Sequence, residues 1–463
     1  LKRRTVFALV PLCILLFGLA PYPCSAQEEE ESAYEDQGKN YIAAIGETLF
    51  SNAVLWAANR FIAGAEYAEV SPATWKKNLT RWWDWDQSTF ITNQIGHPYQ
   101  GSFYHAAGRA NGFSFYESIA FDALGSATWE LFGESIRPAL NDFLVTVPGA
   151  ASVGEILHRL YLEAYAAGSP FAVILSPMHS FNNLVTRRKP EPGGGNIMAS
   201  SLSAGPGVTI GRRYSGSGNT LMEKWDILSV NLRYDISYGD PYTGSSNIPF
   251  EQFDMAIGGG GGFVWYDMHV ITDGYLFYRP LRMSSGGKAA LGLTLNFDFF
   301  ASANSDYSSN ALNATFKYRR ALPGSGDFQL KAHAGWTGIG AANFYQYEDV
   351  EPGDEERRNY GTGANIKLFL SAKSPVWGEV LFSSLWYYMA VIPNTVKNSN
   401  GHVLFSYTDV SYSYPVTDGF SIGAGYTLHW KNGWYKHVPN LVKVTQSARI
   451  FVKYQFNHSA DSV

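Results

Sequence analysis

Cysteine is nearly absent from this chain. Its 463 residues include two, Cys13 and Cys24. A chain so poor in thiols cannot rest on a disulfide framework or a thiolate metal site, so packing and backbone pairing must hold it. Charge is also scarce, at 16% of residues, where soluble domains carry about a quarter. Past the first 26 positions no segment reaches about 18 uncharged apolar residues, so no bilayer-spanning helix is expected. No H-E-x-x-H occurs, and no Lys-Ser/Thr follows the glycine run 258–262, which removes zincin and P-loop chemistry. What is abundant is aromatic residues, at 15%, and glycine, with 46.

From about residue 197 to 456 the chain alternates apolar and polar residues, segment after segment. Leu291, Leu293, Leu295, Phe297 and Phe299 fall on one face, with Gly292, Thr294, Asn296 and Asp298 on the other. Leu228 to Tyr238 divides in the same way, as do 312–319, 328–337, 420–430 and 450–456. Several runs are long enough to cross a bilayer at a tilt. Short turns at Ser284–Gly287, Pro323–Gly326, Lys373–Pro375 and Val416–Gly419 alternate with longer ones near 301–308, 342–358, 392–401 and 431–442. This pattern predicts an antiparallel, up-and-down membrane β-barrel of about twelve strands, with ten or fourteen as alternatives. The last segment ends Tyr454-Gln455-Phe456, an aromatic terminus like those of barrels handled by the barrel-assembly machinery. The glycine run 258–262 is expected to be a bulge or kink, or a place where another backbone approaches the wall.

The N-terminal part reads differently. Residues 1–26 combine Lys2-Arg3-Arg4, an apolar run and a small-residue site ending at Ala26, the pattern of a secretory signal peptide. Its removal would leave 32 basic against 40 acidic residues. Residues 27–40 are expected to be a flexible acidic N-terminus, 41–189 a mainly helical domain, 190–196 a linker, 197–456 the barrel and 457–463 a tail. Helical spacing marks 41–63, 113–134 and 152–167.

The helical part carries an unusual run: Trp82-Trp83-Asp84-Trp85-Asp86, then Asn93-Gln94-Ile95-Gly96-His97-Pro98-Tyr99-Gln100-Gly101, Tyr104 and Arg109. Ser118, Ser126, Trp129-Glu130, Glu134, Asn141-Asp142 and Gly154-Glu155 follow. Over roughly 75–186 this resembles the bacterial family filed as domain of unknown function (DUF) 3943. The resemblance implies an envelope protein with a barrel-like C-terminal part and implies no activity.

His97, Tyr99, Glu130 and Asp142 are the candidates for acid–base work, with His97-Pro98-Tyr99 expected in a turn. The spacing shows no metal-binding pattern, so neither metal nor cofactor is expected. On the barrel, Arg233, Lys317, Arg319, Lys331, His333, Lys367, Arg449 and Lys453 share the inward phase, against Asp235, Asp298 and Asp409. Residues 27–189 hold 18 acidic and 11 basic groups. The expectation is a basic-biased lumen, capped or plugged by the acidic helical domain, with Glu130 or Glu134 facing Lys331 or Lys367. The expected function is a restricted pore or envelope-structure protein of the outer membrane. An envelope enzyme acting on lipid or glycan around His97 and a docking protein are the alternatives. Expected partners are outer-membrane lipid, the assembly machinery and a small anionic solute or a lipid or glycan ligand, with no nucleic acid.

Overall fold

The alternation becomes strand pairing. Among the described residues, twelve strands follow one another: β1 (Ile197–Ser215), β2 (Thr220–Tyr238), β3 (Phe253–Gly261), β4 (Tyr266–Arg282), β5 (Lys288–Ser302), β6 (Tyr307–Leu322), β7 (Gly326–Asn343), β8 (Arg358–Ser374), β9 (Gly378–Val391), β10 (Gly401–Thr417), β11 (Phe420–Tyr435) and β12 (Leu441–Phe456). Each is antiparallel to its neighbours, and β12 pairs with β1 from Ser200↔Phe456 to Ser215↔Leu441, which closes the barrel and leaves no sheet edge. The chain is seen here in a computed structural model, described for residues 37–85, 88–215, 220–262, 266–283, 286–302, 305–344, 358–393, 395 and 399–456. The expected signal peptide, most of the acidic segment, Asp86 and the tail 457–463 lie outside those residues. The chain divides into two units after Asn196.

The barrel is apolar outside and polar inside. Leu228, Val230, Trp336, Ile366 and Ile450 are exposed, while Thr294, Asn296, Asp298, Thr315 and Lys367 are buried. A soluble sandwich would reverse these faces; a hydrocarbon solvent demands this arrangement. Outward aromatics lie near the strand ends, Tyr412, Tyr414 and Phe420 at the end with the short turns and Trp434 at the other, and also mid-strand, as at Trp336 and Tyr426. Connections of two or three residues, at 323–325, 375–377 and 418–419, share one end with both barrel termini.

The β2–β3 connection at that same end is longer and spans 239–252. Phe250 in it takes a φ of 57° and is fully buried, its amide donating to Tyr275 O (2.7 Å). The Phe250 ring fills the space that a Cβ on Gly274 would need. A bulky residue in the left-handed region persists only where its surroundings hold it. The glycine run, in turn, is no bulge: β3 keeps regular register with both neighbours as far as Gly261. Gly258 lies against the His269 ring, where any Cβ would clash at 2.5 Å, so a large inward side chain on the next strand takes the space.

The helical unit contains α1 (Tyr41–Ala57), α2 (Pro72–Thr80), α3 (His97–Ala110), α4 (Phe115–Thr128), α5 (Leu140–Ala166), α6 (Ala172–Leu175) and α7 (Pro177–Thr186). Ser71 and Ser114 begin α2 and α4 with reciprocal capping boxes. His97-Pro98-Tyr99 is not a turn: it opens α3 directly after a π-helical turn, Thr92–Gly96. Proline in a first helical turn forfeits an amide that a regular turn does not need there. The helix expected at 152–167 starts twelve residues earlier, at Leu140, and runs through Pro148. Close packing overrides proline's breaking tendency: Gly149 rests on Pro98 of α3, and Gly101 of α3 rests on Thr146 and Ala150.

The inside-out distribution carries a direct expectation. Ile366→Arg, on the outer face of β8, should cost about 2–4 kcal/mol in lipid vesicles. Val376→Arg, in an exposed turn, should cost under about 0.5 kcal/mol. Urea unfolding followed by heat-modifiable gel migration measures both.

Candidate functional sites in the helical unit and the barrel interior

Two buried polar groups occupy the helical unit. The first joins three helices. His97 opens α3, Glu130 lies in the π-turn Trp129–Gly133 that ends α4, and Asp142 lies in the first turn of α5. One donor atom from each lies within 4.8 Å of the others, and all three residues are buried. His97 Nε2 is 3.3 Å from Asp142 Oδ2. The Ala139 amide donates to Glu130 Oε2 (2.7 Å), and Asn141 Nδ2 donates to Asp142 Oδ1 (2.5 Å). Asp84 of the W-D-W-D run bridges the same segment, its amide donating to Pro138 O (2.9 Å) and its carbonyl accepting from Leu140 N (2.8 Å). The sequence motif is therefore a device for bringing α4 and α5 together at the cluster. Tyr99 does not join it; its ring is partly exposed and edge-on to Phe103. Asn93 and Gln94, in the π-turn before His97, are buried.

The second group is longer. Asp122 Oδ2 meets His105 Nδ1 (3.0 Å), and His105 Nε2 meets Glu155 Oε2 (3.2 Å). Glu155 also pairs with Arg109 and Arg159, each at 3.0 Å. Burial alone would lower His105, but Asp122 and Glu155 outweigh it and raise the imidazole to about 9. Burial lifts Asp122 to about 6 against the pull of His105. For Glu155 burial is overcome by Arg109, His105 and Arg159, which bring it down to about 2. Glu117 pairs with Lys39, and Glu134 accepts from Trp129 Nε1. Arg137 pairs with Asp84.

The network ends in a Ser–His pair whose direction can be deduced. Arg109 can only donate, so His158 Nε2 accepts (3.0 Å) and His158 is protonated on Nδ1. That proton goes to His179 Nε2 (2.9 Å), which puts the His179 proton on Nδ1, facing Ser176 Oγ (2.8 Å). Ser176 therefore accepts from His179 and cannot lose its proton to it, the reverse of a nucleophilic serine. Burial and then Arg109 hold both imidazoles low, His179 at about 3. The spelling Gly419-Phe420-Ser421-Ile422-Gly423 matches a nucleophile elbow, but it opens strand β11 and has no strand-to-helix turn. The other motif residues pack these networks: Tyr104 lies on Gly125, His105 on Gly154, and Ser118 on Gly108. Trp83 packs edge-on to Phe143.

In the barrel the inward cations named from the sequence meet carboxylates of the wall itself. Asp254 and Asp273 are cross-strand partners on β3 and β4, and Lys317 and Lys331 are cross-strand partners on β6 and β7. Lys317 reaches Asp254 at 2.8 Å, and Lys331 reaches Asp254 at 2.8 Å and Asp273 at 2.6 Å. Lys367 pairs with Asp298, which also accepts from Tyr387 Oη (2.9 Å). Arg449 pairs with Asp409 (2.8 Å), Arg233 with Asp235 (2.8 Å), Lys453 with Glu379 (2.5 Å) and Arg319, half exposed at the end of β6, with Asp327 (2.9 Å). His333 bonds Thr315 (2.7 Å). Every inward cation named from the sequence thus has a carboxylate on the wall itself, so Lys331 and Lys367 supply no reason for a plug carrying Glu130 or Glu134. Asp254, Asp273, Asp327 and Glu379 are acids that phasing overlooked.

Toward the end opposite the termini the interior becomes apolar. Phe300, Tyr307, Ala342, Leu385, Tyr387, Met389, Val403, Phe405 and Tyr407 form one buried cluster. Tyr307 stacks on Phe405 at 4.9 Å, and Phe300 packs on Phe405 and Tyr407 at 5.1 Å. Between Arg233, Asp409 and Arg449 a cavity of ≈ 30 Å³ remains, room for little more than water.

Residues 82–172 match the family described as "Domain of unknown function (DUF3943)", which bears out the resemblance carried by the motif. No curated protein matches the chain in sequence. Among solved structures, the chain is similar to the CymD monoaromatic hydrocarbon channel, with 9% identity over 56% of this chain and 90% of that one and a TM-score of 0.22. It is similar to the NanC porin at 12% identity over 53% and 98%, with a TM-score of 0.23. It is similar to the beta domain of the Bordetella autotransporter BrkA at 11% over 56% and 100%, with a TM-score of 0.24. Such low values transfer no activity. The closed strand order and the apolar outer face make this the fold of an outer-membrane β-barrel.

The His105 arrangement has a pH signature. Its folded pKa of about 9 lies above the ordinary 6.5, so its stabilisation is whole below pH 6.5 and is lost as pH rises through 9. The helical unit should lose about 3 kcal/mol across that interval. Thermal melts followed by helical circular dichroism should fall from pH 6.5 to 9.5 for the native chain. For His105→Gln they should be lower throughout and nearly flat.

Proposed function

We propose that this chain, which carries the DUF3943 domain, is an outer-membrane anchor and envelope-structure protein whose barrel is closed to solutes. One observation carries the reading: the Phe300–Tyr387–Phe405 cluster packs side chains of the wall against one another inside the end opposite the termini. Barrels that conduct keep a water-lined lumen, and a twelve-strand wall is already narrower than the 16–18-stranded porins. A passage here would require several aromatic rings to leave their packing together. The paired wall cations also argue against a stationary anion path, because each has a carboxylate competing for it.

On this reading the long loops face outward, and the helical unit belongs to the periplasmic side, where the termini and short turns of such barrels lie. The outer-membrane lipid is the partner of the apolar face. The aromatic end of β12, Tyr454 and Phe456 in edge contact at 4.9 Å, suits recognition by the barrel-assembly machinery. The compact helical unit is then what the barrel holds at the membrane.

Planar-bilayer recording tests this. The native protein should give no discrete conductance, and Phe300→Ala combined with Phe405→Ala should introduce stepwise openings by removing the centre of the cluster. Stable open channels from the native protein would overturn the reading.

A further inference from the structure

The buried cluster of His97, Glu130 and Asp142 is used by nothing described so far. Two carboxylates and an imidazole meet at the ends of three helices, with donor atoms within 4.8 Å of one another. Burying two carboxylates together is unfavourable unless a cation or a proton is shared between them. Among the described residues no lysine or arginine pairs with Asp142.

The chemistry of the donors narrows the choice. One oxygen of each carboxylate is already engaged, Glu130 Oε2 by the Ala139 amide and Asp142 Oδ1 by Asn141. Such outer hydrogen bonds aim ligating carboxylates. The 3.3 Å between His97 Nε2 and Asp142 Oδ2 equals the edge of a tetrahedron around an ion with bonds of about 2.0–2.1 Å, the values for Zn²⁺. π-helical turns, rare in general and frequent at functional sites, flank two of the three donors: one runs directly into His97 and the other contains Glu130. One turn beyond Asp142, at the same α3–α5 interface, the buried Thr146 hydroxyl has no hydrogen-bond partner. That hydroxyl is placed to hydrogen-bond a polar group held at the interface.

We propose that His97, Glu130 and Asp142 form a binding site for a divalent transition-metal ion of the Zn²⁺ class. An imidazole with two carboxylates suits Zn²⁺ or Mn²⁺ better than Ca²⁺ or Mg²⁺, which favour all-oxygen shells. Three protein donors leave the fourth position of a tetrahedral ion to water or another ligand. The proposal does not depend on the barrel being closed.

The test uses the full-length, untagged protein in detergent, stripped with a chelator. Zn²⁺ is titrated in competition with a chromophoric chelator, and bound metal is counted by mass spectrometry. One Zn²⁺ per chain is expected. Co²⁺ in its place should give the intense visible absorption of a tetrahedral site, a readout that needs no variant. His97→Ala, Glu130→Gln and Asp142→Asn should each weaken binding by about 100-fold or more, while His437→Ala, at an exposed position, should not. Helical circular dichroism checks that each variant is folded. If the stripped native protein takes up no Zn²⁺, or if the three variants bind as it does, His97 and Asp142 are simply an ion pair and the proposal fails.

Discussion

The barrel depends on one arrangement: two like-charged cross-strand pairs that meet inside it. Asp254 beside Asp273 would destabilise one side of the wall, and Lys317 beside Lys331 would destabilise the other. Brought together they satisfy each other, with Lys331 reaching both carboxylates. Neither pair is tolerable until the barrel closes in correct register, because a slip of one residue would turn these charges outward toward hydrocarbon. Charge matching inside and apolar contact outside therefore select the same register.

The same logic continues along the interior. Lys367 and Asp298 join Tyr387, whose ring belongs to the apolar cluster, so the ionic and aromatic layers share a residue. A buried charge without its partner is costly, so such networks favour the one packing that brings the partners together. The helical unit repeats the principle with His105 held between Asp122 and Glu155, while Arg109 orders the His158–His179–Ser176 chain.

Much of this was legible in the sequence, for physical reasons. Period-2 alternation survives in any strand with one face in lipid, so the strand count and the inward phase of Lys317, Lys331 and Lys367 could be read directly. The acids that answer them could not. Asp254 lies in a nine-residue strand beside a glycine run, and Asp273 interrupts an apolar stretch, so neither shows a clean alternation. His97, Glu130 and Asp142 were named singly, but 45 residues of chain separate the first from the last, and only the folding of α3, α4 and α5 brings them together. The helix at His97-Pro98 and the passage of α5 through Pro148 were hidden because local propensity yields there to the close α3–α5 packing.

The central claim is that side chains of the wall itself close the barrel interior at the end opposite the termini. With the native cysteines confined to positions 13 and 24, thiol accessibility in a background lacking both reads this directly. Ala342→Cys lies in the apolar cluster, and Gly244→Cys lies in an exposed connection at the opposite end. A charged, membrane-impermeant thiol reagent applied to the protein in detergent should modify position 244 rapidly and leave 342 unmodified until the barrel is denatured. Modification of 342 at a rate comparable to 244 would contradict the account.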